Sequence, residues 1–263
     1  MSFSNIEFRI ENQLAFITLS RPEAANTISI EMAEELLAAA VHCDGHPEVR
    51  AVVLTGKGRF FSGGGDVQSF ANAGDGAAAL LRRITAPLHA AVSRFARMDA
   101  PLVTAINGTA AGAGFSLAIS GDVVVAAESA KFTLAYTKIG MSVDGGGSYF
   151  LPRVVGLQQA KELMLLNPVL SAADALKRGL VTRVVPDAEL HERAAEIAAA
   201  LAAGPTRAHG EVKRLLADTH SNSLEQQLAL ESRSMSGLAA HTADAAEGFA
   251  AFANKRVAKF TGR

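Results

Sequence analysis

The sequence predicts an α/β fold assembled from crossover units, and three observations carry that expectation. A strand, a glycine-rich turn and a helix follow one another twice, at Arg50 to Met98 and again at Pro101 to Ser120. Each helix begins close to the end of its strand, as parallel crossover connections require and an all-β sandwich does not. From Gln158 onward the pattern is almost wholly helical apart from the short run VTRVVP.

The elements follow in order. IEFRIEN and LAFITLS alternate apolar and polar residues at the period of half-buried strands, and Glu11-Asn12-Gln13 between them reads as a hairpin turn. RPEAANTIS is a proline-bearing loop, after which Ser29 is placed to cap a helix that carries Met32, Leu36, Leu37 and Ala40 on one face. RAVVLTG, apolar and β-branched, is a buried strand that runs into GKGRFFSGGGD, a segment too rich in glycine for either regular element. An Ala/Leu-rich helix is expected from about Ala77 to Met98, ending where Ala100 precedes Pro101. PLVTAIN, GTAAGAG, GFSLAIS and DVVVAAE then read as strand, turn, helix start and strand. Leu224, Leu228 and Met235 keep helical spacing in a late segment, and the LAAG run near Leu201 divides a core at 1–200 from a helical part at 201–263. The small residues of ANAGDGAAA, within Ser69 to Arg83, predict a mobile segment that shapes the pocket.

Composition narrows the function. With 263 residues, 49% hydrophobic and 19% charged, the chain can bury a sizeable core. It has no run of roughly 18 apolar residues, and acids in MSFSNIEFRIEN argue against a targeting peptide, so a cytoplasmic protein is expected. A net charge of −1 with interspersed signs excludes the basic footprint of a nucleic-acid binder. Cys43, the single cysteine, reads as an apolar helix residue, and the seven histidines and scattered acids show no metal-ligand spacing.

The glycine-rich turns fail as nucleotide loops. GKGRFFSGGGD lacks the Gly-Lys-Ser/Thr ending and GAGFSL lacks the third glycine of the dinucleotide fingerprint. Gly114-Phe115-Ser116-Leu117-Ala118 nearly matches a nucleophile elbow, with Asp144 and histidines downstream, and leaves a serine hydrolase as a reading. What both turns offer is exposed N–H donors where a strand gives way to a helix, and two such turns facing each other could grip one oxyanion. Asp144, in GMSVDGGGSYFLP, reads either as an ordinary turn or cap aspartate or as an acid/base, with Met141, Val143 and Tyr149 as an apolar surround.

FFSGGGDV (Phe60 to Val67) and AINGTAAGAGFSLAISGD (Ala105 to Asp122) resemble the two oxyanion-hole turns of the crotonase (enoyl-CoA hydratase/isomerase) superfamily. KFTLAYTKIGMSVDGGGSYFLPRVVG, ADALKRGLVTRVVP and EGFAAFANKRVAKFTGR continue the likeness through the chain. The resemblance implies a spiral of repeated ββα units, with a C-terminal helical part that builds homotrimers or homohexamers. It implies an acyl-CoA substrate of fatty-acid or lipid metabolism, with coenzyme A entering as part of the thioester and no permanently bound cofactor. The N–H donors would belong to Gly65 and to Ala113, the latter standing where glycine is usual. Ala24, Gly63, Asp66 and Val67 match positions at the CoA adenine, Phe252 and Lys255 match C-terminal CoA contacts, and Glu23 replaces a usual lysine or arginine.

The hydratase glutamates are absent by the same comparison, their places held by Ser116 and Tyr136. Asp144 falls where double-bond isomerases of the dienoyl-CoA and epoxyphenylacetyl-CoA types carry a catalytic aspartate, and where 4-chlorobenzoyl-CoA dehalogenases carry a nucleophile. His89 falls where the dehalogenase base lies; it also reads as a histidine on a helix face. The resemblance therefore implies an isomerase using Asp144. Hydratase, dehalogenase or hydrolase, and non-catalytic CoA-ester binder remain as alternatives.

Overall fold

The structure, a computed structural model, describes residues 3–263. The hairpin opens it: β1 (Ile6–Glu11) pairs antiparallel with β2 (Leu14–Leu19). Asn12 and Gln13 turn the chain with φ of 51° and 68°, a backbone whose twist matches that of the strands. α1 (Ile30–Gly45) follows, its first turn capped by Ser29 Oγ, which accepts the Met32 N–H at 3.2 Å.

From here the chain climbs in turns of strand, short strand and helix. The first turn is β3 (Ala51–Gly56), β4 (Phe60–Ser62), α2 (Val67–Ala73) and α3 (Ala77–Arg97). The second is β5 (Leu102–Ile106), β6 (Thr109–Ala111) and α4 (Ala113–Ala118), and the third is β7 (Val123–Ala127), β8 (Lys131–Thr133), α5 (Gly147–Val155) and α6 (Leu157–Leu166). β9 (Leu170–Ser171), α7 (Ala172–Lys177), β10 (Arg183–Val185), α8 (Leu190–Ala202), α9 (Thr206–Asp218), α10 (Leu224–His241) and α11 (Ala243–Ala253) complete the chain.

Each turn places one long strand in a six-stranded sheet, ordered β1-β2-β3-β5-β7-β10, and one short strand in a second sheet, ordered β4-β6-β8-β9. Every residue of β3 and of β5 is buried, because these parallel strands are covered on both faces. Phe61, Phe95, Phe115 and Phe132 are the largest fully buried side chains and fill the space between the sheets and helices.

The two glycine-rich segments differ from the sequence expectation. GKGRFFSGGGD and GTAAGAG are not turns alone: they contain β4 and β6, which pair in parallel with Phe60 opposite Thr109 and Ser62 opposite Ala110. β6 pairs in turn with β8, Ala111 opposite Thr133. That register sets the ends of β4, β6 and β8 side by side, so the loops that leave them meet at one edge of the small sheet. ANAGDGAAA is also helical rather than loop: it spans the end of α2, a 3₁₀ turn at Gly74–Gly76 and the start of α3.

The expected seam at Leu201 falls inside α8, which runs on to Ala202, and α9 after it lies against the core. Lys213 Nζ bonds to Asp122 Oδ2 at 2.8 Å and to the carbonyls of Phe95 and Ala100, while Arg214 reaches Asp99 at 2.8 Å. α10 and α11 leave Leu224, Leu228, Met235, Phe249 and Phe252 exposed. Among the described residues no helix is long and apolar enough to cross a membrane.

Candidate active site

Two positions show how closely the loops approach. Gly64 has φ of +95°, and a Cβ there would lie 2.7 Å from the Ala111 carbonyl oxygen and 3.2 Å from the Ala113 nitrogen. A Cβ on Gly114 would lie 2.4 Å from the Ser62 carbonyl oxygen. All three distances are below ordinary contact, so only glycine lets the two turns pack backbone on backbone.

The turn Gly63–Asp66 is braced from behind. Gly63 donates its N–H to the Ala25 carbonyl at 2.8 Å, and the Gly64 N–H donates to Ser62 Oγ at 3.2 Å. Asn26 is fully buried: its Nδ2 donates to the carbonyls of Lys57 and Phe60, and its Oδ1 accepts the Arg21 N–H. Sequence reading missed Asn26, although an asparagine at φ of 51° in a proline-bearing loop is a familiar brace. Among the described residues, the N–H groups of Gly65 and Ala113 donate to no acceptor. Ala113 is the first residue of α4, where an N–H has no partner within its own helix.

Of the positions matched to CoA contacts, four fall around this turn. Ala24 ends the 3₁₀ turn beside Ala25, and Gly63 bonds to Ala25. Asp66 caps α2 through the Ser69 N–H at 3.1 Å, and Val67 follows it, half exposed. Arg21 Nη2 stands 4.0 Å from Asp66 Oδ2, a cation near the place that Glu23 leaves without one. Among the described residues no hydrogen bond joins Phe252 or Lys255 to this group. Phe252 is 89% exposed on α11, and the Lys255 N–H bonds back to the Phe252 carbonyl.

Asp144 sits in the loop before α5. Its surround is only partly the expected apolar one: Val143 packs half-buried against the core, whereas Met141 and Tyr149 lie at the surface and the Tyr149 hydroxyl turns away to the Ala217 carbonyl. The carboxylate instead accepts the Tyr136 hydroxyl on Oδ1 at 2.5 Å. Tyr136 in turn lies 3.2 Å from Ser116 Oγ. Burial and the adjacent carboxylate hold the Tyr136 phenol well above its usual pKa, so it stays protonated and donates.

His89, from α3, accepts the Gly145 N–H on Nε2 at 3.2 Å and stands 4.0 Å from Asp144 Oδ2. Accepting that N–H requires Nε2 to carry no proton. The serine-nucleophile reading does not fit this geometry. Ser116 is completely buried and its side-chain partner is Tyr136, not a histidine. A cavity of about 960 Å³ opens alongside, lined by His89, Val92, Gly146 and Phe150 and also by Asp122 and Lys213.

The Gly63–Asp66 turn and the start of α4 thus lie backbone against backbone, each with an N–H that donates to no acceptor among the described residues, and the Asp144 loop reaches α4 through Gly145. The family model of enoyl-CoA hydratase/isomerase matches residues 9–263. A probable enoyl-CoA hydratase of Rhodobacter capsulatus is 41% identical over 263 residues, the full length of both proteins. The 1,2-epoxyphenylacetyl-CoA isomerase of Escherichia coli is 39% identical over 258 residues, 97% of each. The crystal structure of an enoyl-CoA hydratase from a Polaromonas species superposes with a TM-score of 0.91 at 34% identity, covering 97% of this chain and 99% of that one. The chain belongs to the enoyl-CoA hydratase/isomerase family, and so to the acyl-CoA-processing enzymes of the crotonase superfamily.

Proposed function

We propose that the protein is an acyl-CoA isomerase that shifts a carbon–carbon double bond. The thioester oxygen lies between the N–H groups of Gly65 and Ala113, which take up the negative charge of the enolate. Asp144 removes a proton from carbon 2 and returns it to carbon 4. One carboxylate suffices for that shuttle, because the same group gives back the proton it took.

The observation that carries this reading is the replacement of the two hydratase glutamates by Ser116 and Tyr136, both joined by hydrogen bonds to the line that ends at Asp144. The E. coli relative named as an epoxyphenylacetyl-CoA isomerase, matched over 97% of both chains, supports it. The acyl group would occupy the cavity beside His89 and Phe150. Coenzyme A would run past Ala24, Gly63, Asp66 and Val67, with Phe252 and Lys255 supplied after assembly into a homotrimer or homohexamer. The exposed apolar residues of α10 and α11 support that role for the part beginning at residue 201.

Hydration is the second reading, favoured by the name of the R. capsulatus relative. Displacement by Asp144 with His89 as water-activating base is disfavoured, since Nε2 already accepts the Gly145 N–H. The tryptophan that the dehalogenases carry at the place of Tyr136 is also missing, the sequence having none.

A panel of 3-enoyl-, 2-enoyl-, dienoyl- and aryl-CoA esters separates the readings. Conversion of 3-enoyl- to 2-enoyl-CoA without loss of crotonyl-CoA absorbance is expected. Rapid hydration of crotonyl-CoA would refute the isomerase.

A further inference from the structure

The residues standing where hydratases carry glutamates are not idle substitutes. We propose that Ser116 and Tyr136 are positioning residues: a one-way chain of hydroxyls, Ser116 Oγ–H to Tyr136 O–H to Asp144 Oδ1, pins the carboxylate and leaves Oδ2 as the oxygen that takes and returns the proton. The inference rests on the isomerase reading for the last clause and on geometry alone for the rest.

Counting protons fixes the direction. An ionised carboxylate only accepts, and a tyrosine hydroxyl has a single proton to give. Tyr136 lies 2.5 Å from Asp144 Oδ1 and 3.2 Å from Ser116 Oγ. Its proton therefore goes to Asp144, and Ser116 must donate to the Tyr136 oxygen. Ser116 is fully buried, so bulk water cannot take over its place.

The other carboxylate oxygen is left open. His89 Nε2, 4.0 Å away, is beyond hydrogen-bond range and already accepts from Gly145. Among the described residues no other ionisable group is bonded to the carboxylate. Tyr149 donates to the Ala217 carbonyl and Arg153 donates to the Tyr149 carbonyl, both on α5 and both directed away. Asp144 thus has one oxygen tethered by a neutral donor and one free, the asymmetry a proton shuttle needs. A neutral tether matters, because a cation at the same distance would hold the carboxylate ionised and oppose its protonation.

The test reads Asp144 itself. Enzyme made with carboxyl-labelled aspartate is titrated by infrared difference spectroscopy, and the Asp144 band is identified by its loss in Asp144→Asn. Removing a charge-assisted donor destabilises the carboxylate, so Tyr136→Phe should raise the Asp144 titration midpoint by about one pH unit. The acidic limb of kcat/KM should move with it. Ser116→Ala, which keeps the tyrosine in place, should shift both in the same direction by less, and Ser116→Thr should restore them. An unmoved midpoint in folded Tyr136→Phe would overturn the proposal. If that variant does not fold, an unmoved midpoint in Ser116→Ala overturns it instead. The isomerase reading fails separately, through turnover surviving in Asp144→Asn, whatever the titration shows.

Discussion

Asp122 and Asp144 stand near the same cavity, yet the protein treats the two carboxylates in opposite ways. Asp122 stands just before β7, its side chain 27% exposed, and its Oδ2 accepts the Leu102 N–H at 2.7 Å and the buried Lys213 ammonium at 2.8 Å. Burial pushes the Asp122 carboxyl up and the Lys213 ammonium down from their usual values, and their mutual attraction opposes both shifts. Asp144 has a side chain as exposed as that of Asp122, 27% in each, but its bonded side-chain partner is the neutral hydroxyl of Tyr136. A carboxylate locked to a buried cation ties α9 to the core. One held by a hydroxyl is anchored without being neutralised, and remains able to exchange a proton.

Substitutions that break this contrast should separate activity from stability. The largest effect is on turnover: Asp144→Asn should lower kcat on a 3-enoyl-CoA about a thousandfold, the worth of a positioned acid/base. Its melting temperature should stay near that of the parent, checked by calorimetry. Next comes stability, where Lys213→Ala removes the buried ammonium that bonds Asp122 and the carbonyls of Phe95 and Ala100, and should cost about 1.5–3 kcal/mol in urea unfolding. Gly64→Ala should follow, costing about 1–2 kcal/mol from its left-handed backbone alone. Turnover should suffer further as the added Cβ forces the Gly65 and Ala113 turns apart, seen as a fall in kcat with the secondary structure intact.

The smallest effect concerns His209, which shares the cavity lining with Lys213 and whose buried Nδ1 has no hydrogen-bond partner among the described residues. Burial, aided by the nearby Arg50, holds its pKa below the ordinary 6.5. The native state thus takes up this proton less readily than the unfolded chain. That contribution is fully present above the unfolded pKa and is lost as pH falls through 6.5 toward the folded value. Melting scans should show a modest drop on acidification through this range, reduced in His209→Gln.

The contrast also marks what could be read from residues alone. β3, β5 and α3 were legible because their apolar runs and the Pro101 boundary are local signals, and Ser29 announces a cap within its own turn. β4, β6 and β8 were not, since three residues are too few to show a period and their pairing is made only in the spiral. Gly64 and Gly114 were visible as glycines, but the backbone oxygens they admit come from another turn. Asp144 was singled out, whereas its hydroxyl tether crosses from Ser116 in α4 through Tyr136 after β8. Only the fold makes those three neighbours.

The most direct test measures Asp144→Asn and Asp122→Asn side by side, recording 3-enoyl-CoA turnover per folded molecule and the melting temperature of each. The account predicts that Asp144→Asn loses turnover and keeps its melting temperature, while Asp122→Asn keeps turnover and melts lower. Retained turnover in Asp144→Asn would contradict it.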